Sequence, residues 1–201
     1  MRGFATGSLG AKIAIHNKDE EYARKCLTRL RLVDRPLFYE FRHSRFHVAF
    51  GRVRDGMEAA RRAVAAEANP PLEVLLQLAY CQYLMHEYEQ AERTMNDIDR
   101  KYSNLKKDIR IGIRCRILIG QSKYSDALDL AGAIRDKGSR FYKAIRRDAL
   151  AGILRTSALP DAVRAEYEEE VETLKEELKS EKAEDILLEA FDDIPRRTRE
   201  S

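Results

Sequence analysis

An all-α fold built as a repeat array is predicted for this chain of 201 residues, on three observations. Only five prolines and ten glycines occur, too few for a fold of many tight β-turns. Strict apolar–polar alternation is hard to find, whereas apolar residues recur at helical spacing. Hydrophobic residues make up 44% and charged residues 35%, a mixture expected when each helix buries one stripe in a thin layer and leaves the rest in water.

Helices are expected near 5–16, 19–32, 37–50, 54–67, 71–85, 88–101, 105–120, 124–136, 140–156, 160–179 and 182–192. The first is short and glycine-interrupted, either a weak cap or the surface on which a preceding domain attaches, so a piece of a larger multidomain protein is expected. Asp19 and Ser125 are expected N-caps, and Gly138 stands where a C-terminal glycine is useful. In 161–194, Glu166, Glu168, Glu169, Glu170, Glu172, Glu176 and Glu177 alternate with Val163, Tyr167, Val171, Leu174 and Leu178. Those apolar positions fall on one helical stripe, so the segment is expected to lie on the last repeat with a polar outer face. Ile186, Leu187, Ala190, Phe191 and Ile194 are expected to form a second capping helix. The organisation expected is a repeat array over 1–160, acidic C-terminal capping helices over 161–194 and a flexible basic tail over 195–201.

The repeat shows most plainly in two stretches, His86-Glu87-Tyr88-Glu89-Gln90-Ala91 and Ser122-Lys123-Tyr124-Ser125-Asp126-Ala127. Each follows an apolar helix with a small residue twelve positions before the alanine, Ala79 and Cys115. A short turn, a tyrosine expected on the preceding helix and an alanine that admits close approach describe a helical hairpin. Upstream, Gly56 takes the alanine slot with Ser44 as its small partner, and Ala23 takes it with Ala11. Downstream, Val163 pairs with Ala151. Successive offsets are 33, 35, 36 and 36.

These residues resemble tetratricopeptide repeats of roughly 34 residues. The matching positions are Leu75, Leu78, Ala79, Tyr88, Ala91 and Met95 in one unit and Ile111, Cys115, Tyr124, Ala127 and Ala131 in the next. The match is closest over 37–140 and extends over 5–180. Tryptophan is absent, and Ser103 and Ser139 stand where a proline would close these two units, although Pro36 and Pro70-Pro71 separate earlier ones.

The resemblance implies a right-handed α-solenoid of about five antiparallel helical hairpins with C-terminal capping helices. It further implies a concave groove lined by the first helix of each hairpin. Carried across by position, the groove takes Phe41, Arg42, Arg45 and Val48, then Leu76, Gln77, Tyr80 and Tyr83, then Ile113, Arg116 and Ile119, and last Asp148 and Arg155. Half of these are expected to pack between helices. Phe41, Arg42, Arg45, Gln77, Tyr80, Tyr83, Arg116, Ile119 and Arg155 are the expected partner contacts, suited to a peptide with hydrophobic anchors and acidic character. Phe41, Arg45 and Gln77 occupy slots where a carboxylate-clamping groove has lysine and asparagine, so that specificity is not implied. The function implied is a non-catalytic interaction scaffold or adaptor.

Charge distribution supplies two competing readings. The formal net charge is only +3, but residues 101–147 carry 13 Lys and Arg against 4 Asp and Glu, and residues 161–193 carry 4 against 14. Lys106, Lys107, Arg110, Arg114, Lys143, Arg146 and Arg147, with Tyr102, Phe141 and Tyr142 interleaved, are the residues an RNA-binding face would use, since phosphates need such charge and bases stack on such rings. A homo-oligomer formed through basic and acidic faces is the other expectation. Cys26, Cys81 and Cys115 are scattered, with no CxxC, which points to a reducing, cytoplasmic setting. No apolar run approaches the roughly 18 residues of a membrane span, and Met1–Leu9 is too polar for a secretory signal.

Catalytic, metal and cofactor sites are not expected. Gly7, Gly10 and Lys12 fail the phosphate-loop pattern because Ala11 intervenes, Ile13 follows the lysine and no strand precedes. His43 and His47 share a helical face but lack the further ligands zinc needs, and read as surface or partly buried histidines. No cysteine or serine stands in a nucleophile motif.

Overall fold

The computed structural model describes residues 10–15, 17–103, 105 and 107–179, and these are all-helical, with no strand among them. Residues 10–15 are helical (α1). There follow α2 (Glu20–Arg31), α3 (Pro36–Ala49), α4 (Val53–Ala65), α5 (Leu72–Leu84), α6 (Tyr88–Lys101), α7 (Lys107–Gly120), α8 (Tyr124–Ala131), α9 (Arg140–Thr156) and α10 (Asp161–Glu177). No helix among the described residues is long and apolar enough to cross a membrane. The expected second capping helix at 182–192 and the basic tail at 195–201 lie outside the described residues. The chain divides into two compact units, Met1–Ile98 and Asp99–Ser201.

In the first unit, α2 starts where the Asp19 carboxylate accepts the Tyr22 N–H at 3.0 Å. Glu20–Arg24 and Glu21–Lys25 pairs at i,i+4 support its outer face. Its inner stripe, Ala23, Cys26, Leu27 and Leu30, meets Ala11, Ala14 and Phe46. Three alanines, a glycine and a methionine make the buried face of α4, so it packs closely on both α3 and α5. Gly56 sets that closeness: a Cβ there would lie 2.7 Å from Val48 Cγ2. Helix α5 is buried on almost every side, with Leu72, Val74, Leu75, Leu76, Ala79, Tyr80 and Cys81 inside. It also touches α3, two helices back. The buried Gln77 Nε2 donates to Ser44 Oγ at 3.1 Å, tying α5 to α3 through a polar bond in an apolar setting.

The second unit repeats this order. Helix α7 is its buried centre, packed on α8 and again on the helix two along, α9. The α7–α9 approach rests on a ring over a glycine: a Cβ at Gly112 would lie 1.6 Å from Phe141 Cζ. Tyr124 sits likewise over Gly152, where a Cβ would fall 2.1 Å from its ring. The ring of Tyr124, expected on the preceding helix, thus lies against the following helix α9. Tyr88 does lie near Tyr83 of the preceding α5, with ring centroids 6.4 Å apart.

Helix α8 ends at Ala131, five residues earlier than expected. Lys137 Nζ donates to the Ala131 and Gly132 carbonyls, satisfying the open end, and Ile134 is buried in the turn that follows. Gly138 therefore ends no helix; its N–H bonds the Asp136 carboxylate ahead of α9. Ser125 is inside α8, and Lys123 holds the cap position without a side-chain bond. Ser139 instead caps α9, accepting the Tyr142 N–H at 3.3 Å. Helix α10 packs on α9, with Val171, Leu174 and Leu178 buried as its stripe predicts.

One turn recurs through the chain. Lys18, Gly51, His86 and Ser122 all have positive φ, at 56°, 78°, 59° and 62°. Each N–H bonds the carbonyl three residues back, and the next N–H reaches five back: Asp19 to Ala14, Arg52 to His47, Glu87 to Gln82 and Lys123 to Leu118, at 2.8–2.9 Å. This is the Schellman closure of a helix. In every case the residue after the turn then accepts the N–H of the alanine-slot residue, Ala23, Gly56, Ala91 or Ala127, at 3.0–3.1 Å. The sequence repeat is thus a backbone hydrogen-bond repeat, with the turns at the same 33, 35 and 36 residue intervals.

Candidate partner-binding surfaces

On α3 of the first unit, Phe41 is half-buried and packs beside Leu37, Ala63 and Val74, while the buried Arg45 lays its guanidinium 5.9 Å from the Phe41 ring. Arg42 is half-buried and bound to the nearly enclosed Asp34. On α5, Gln77 and Tyr80 are 1% and 0% exposed, so neither offers contact area to a ligand. Tyr83 is half-buried, with its ring 6.1 Å from that of Tyr80. Of the expected contacts on this unit, only the half-buried Phe41, Arg42 and Tyr83 keep accessible surface.

In the second unit, Arg116 is 3% exposed and pairs with Asp148, joining α7 to α9. Ile119 is half-buried, and Arg155 is exposed with Nε on the Ala151 carbonyl. The basic stretch is largely paired. Arg110 is buried, binding Asp99 and the carbonyls of Tyr102, Ser103 and Leu105. Arg114 holds the other Asp99 oxygen at 2.6 Å. Lys143 meets Glu177 at 2.9 Å, Arg146 meets Glu170 and Arg147 meets Asp148 at 2.7 Å. Lys107 is exposed, and Lys106 lies outside the described residues. The acidic helix α10 therefore neutralises basic side chains of α9 in the same chain, where the sequence left open that it docks on a second copy.

The thiols of Cys81 and Cys115 are pushed up by burial, to about 11 and about 12, which keeps them protonated and unreactive.

A cavity of about 240 Å³ lies between α2 and α3. It is lined by Arg24, Tyr39, His43, Phe46, His47 and Arg52 among others, with the Arg24 and Arg52 guanidiniums 6.0 and 5.0 Å from the Phe46 ring. The two guanidiniums meet on a single oxygen, Glu20 Oε1, at 2.6 and 2.8 Å. They hold the Glu20 carboxyl below its usual range, Arg52 most strongly. Arg52 Nε also donates to His47 Nδ1 at 3.1 Å, which leaves the proton of neutral His47 on Nε2. Burial lowers the pKa of both histidines, reinforced at His47 by His43 and Arg52. His43 Nδ1 is buried without a protein hydrogen-bond partner. The histidine pair was visible in the sequence, but the arginines that complete the cavity come from positions 19 residues before His43 and 5 residues after His47. Among the described residues no set of three or more His, Cys, Asp and Glu gathers to hold a metal.

No protein-family model, no curated protein and no solved structure matches this chain.

Proposed function

We propose that this chain is a non-catalytic protein–protein interaction scaffold related to tetratricopeptide repeats. In this reading the recurrent turns join antiparallel hairpins, which stack as a right-handed α-solenoid and present the first helices to a partner. The supporting observation is the identical turn at intervals of 33, 35 and 36 residues. Contacts between alternate helices, α3 with α5 and α7 with α9, agree with it, because a hairpin stack sets first helices side by side. Phe41, Arg42 and Tyr83 offer an aromatic and cationic surface suited to a hydrophobic peptide with acidic flanks. Three unpaired buried cysteines suit a reducing, cytoplasmic setting. The RNA-binding reading is the weaker one, since Arg110, Arg114, Lys143, Arg146 and Arg147 already neutralise carboxylates.

The test is titration of the full chain with a panel of acidic–hydrophobic peptides and, separately, with single-stranded RNA at two salt concentrations. Peptide binding weakened roughly tenfold or more by Phe41→Ala with Tyr83→Ala supports the scaffold. RNA binding that collapses with salt, with no peptide bound, supports the alternative.

A further inference from the structure

We propose that the cavity between α2 and α3 binds a phosphate monoester on a side chain of a partner protein, bridged by Arg24 and Arg52 and walled by Tyr39, His43 and His47. This site is separate from the groove. With 3.6 residues per turn, Tyr39, His43 and Phe46 fall on the opposite side of α3 from Phe41 and Arg45.

Geometry comes first. Glu20 Oε1 accepts from both guanidiniums at once, so an oxyanion placed there bridges Arg24 on α2 and Arg52 before α4. Glu20 sits in the first turn of α2 with a side chain 38% exposed, free to swing outward and yield the position. A tetrahedral dianion uses this arrangement more fully than a planar carboxylate, since it meets two guanidiniums and still has oxygens for neighbouring donors. Two further residues with donor groups, His47 and Tyr39, line the same cavity.

Charge agrees. Around the cavity, α2 contributes Glu20, Arg24 and Arg31; α3 contributes Glu40, His43 and His47; the following turn and α4 contribute Arg52, Asp55 and Arg62. With both histidines neutral, four cations face three anions, and an incoming dianion meets a positive field. A volume of about 240 Å³ is small for a cofactor but open on one side, so a phosphoryl group can enter while the chain that carries it stays outside. It holds roughly eight waters' worth of volume, enough for a phosphoryl group with the first atoms of its side chain.

The experiment follows the His43 and His47 ring proton resonances of the full chain by NMR. The probes are phenyl phosphate, inorganic phosphate and a peptide in phosphorylated and unphosphorylated forms. Saturable shifts of both histidines are expected, with the phosphorylated peptide binding at least about tenfold tighter than its unphosphorylated form. Arg24→Gln, a change at a side chain 65% exposed, should weaken binding roughly tenfold without lowering the melting temperature. Arg52→Gln should weaken it comparably, and Arg29→Gln, on exposed α2 surface, should leave it unchanged. Shifts that do not saturate overturn the site. Equal weakening by Arg29→Gln and Arg24→Gln overturns the bridging geometry, and inorganic phosphate binding as tightly as the phosphopeptide overturns the side-chain source.

Discussion

Gly112 lies in the interior of α7, where propensity alone favours alanine by about 0.8–1 kcal/mol. The packing of α9 reverses that preference. A Cβ at Gly112 would sit 1.6 Å from Phe141 Cζ and 2.3 Å from Cε1, so the ring must retreat by about 2 Å to reach ordinary contact. Phe141 is 8% exposed at the start of α9, beside the buried Ala144 and Ile145, and has little room to move. If α9 shifts, the overpacking costs about 1–3 kcal/mol; if the ring is expelled, the lost burial costs about 1.5–3 kcal/mol. For a contact this short the cost lies in the upper part of those ranges, about 2–3 kcal/mol, so Gly112→Ala is expected to destabilise the chain by about 1–2 kcal/mol after the propensity gain. Urea unfolding of the full chain, followed by circular dichroism, measures this as a lower midpoint. The decisive comparison repeats the substitution in a Phe141→Ala background. With the ring gone, Gly112→Ala should become neutral or stabilise by up to about 1 kcal/mol. A Gly112→Ala chain as stable as the parent, or an equal loss in both backgrounds, would refute the ring-over-glycine account of how α9 meets α7.

The turn makes a prediction of its own: Ser122→Gly relieves a left-handed conformation at φ 62° and should stabilise by about 0.5–1 kcal/mol, whereas Gly51→Ala should cost about 1 kcal/mol in thermal melts. Arg110→Met removes bonds to Asp99 and three carbonyls, so a loss of about 2–4 kcal/mol in chemical unfolding is expected, in place of a selective loss of RNA affinity. The buried Leu178, 1% exposed, should cost about 2–4 kcal/mol as alanine, whereas Glu177→Gln, which breaks a partly exposed pair with Lys143, should cost under about 1 kcal/mol. Stability should also fall as pH drops below the ordinary histidine value of 6.5. The folded His43 and His47 titrate lower, so the unfolded chain binds more protons in that window. The charged groups that face the pair are Glu20, Arg24, Arg31, Glu40, Arg52, Asp55 and Arg62, and His47→Gln should flatten the dependence measured by melting temperature against pH.

Much of the fold was legible because its determinants are local. Apolar stripes, prolines and the small-residue slots placed the helices to within a few residues, and Asp19 was readable as a cap from its position alone. What was not legible depends on partners distant in sequence. Gln77 and Arg116 read as groove residues by their helical position, but Ser44 and Asp148, more than thirty residues away, draw them inside. The basic stretch looked available because charge runs carry no record of their counterions, and Asp99, Glu170 and Glu177 claim much of it. At the early end of α8, Lys137 folds back over two carbonyls, a side-chain contact that helical periodicity does not encode. The cavity beside His43 needed Arg24 and Arg52 to be brought together, which only the packing of α2 on α3 achieves.

Backbone amide NMR titration of the full chain with an acidic–hydrophobic peptide reads the proposed partner surface of the first helices residue by residue. Saturable shifts are expected on α3 and α5, centred around Phe41, Arg42 and Tyr83 and lost in the Phe41→Ala, Tyr83→Ala double variant. Shifts confined to α10, or a bound peptide indifferent to that double variant, would contradict that partner surface.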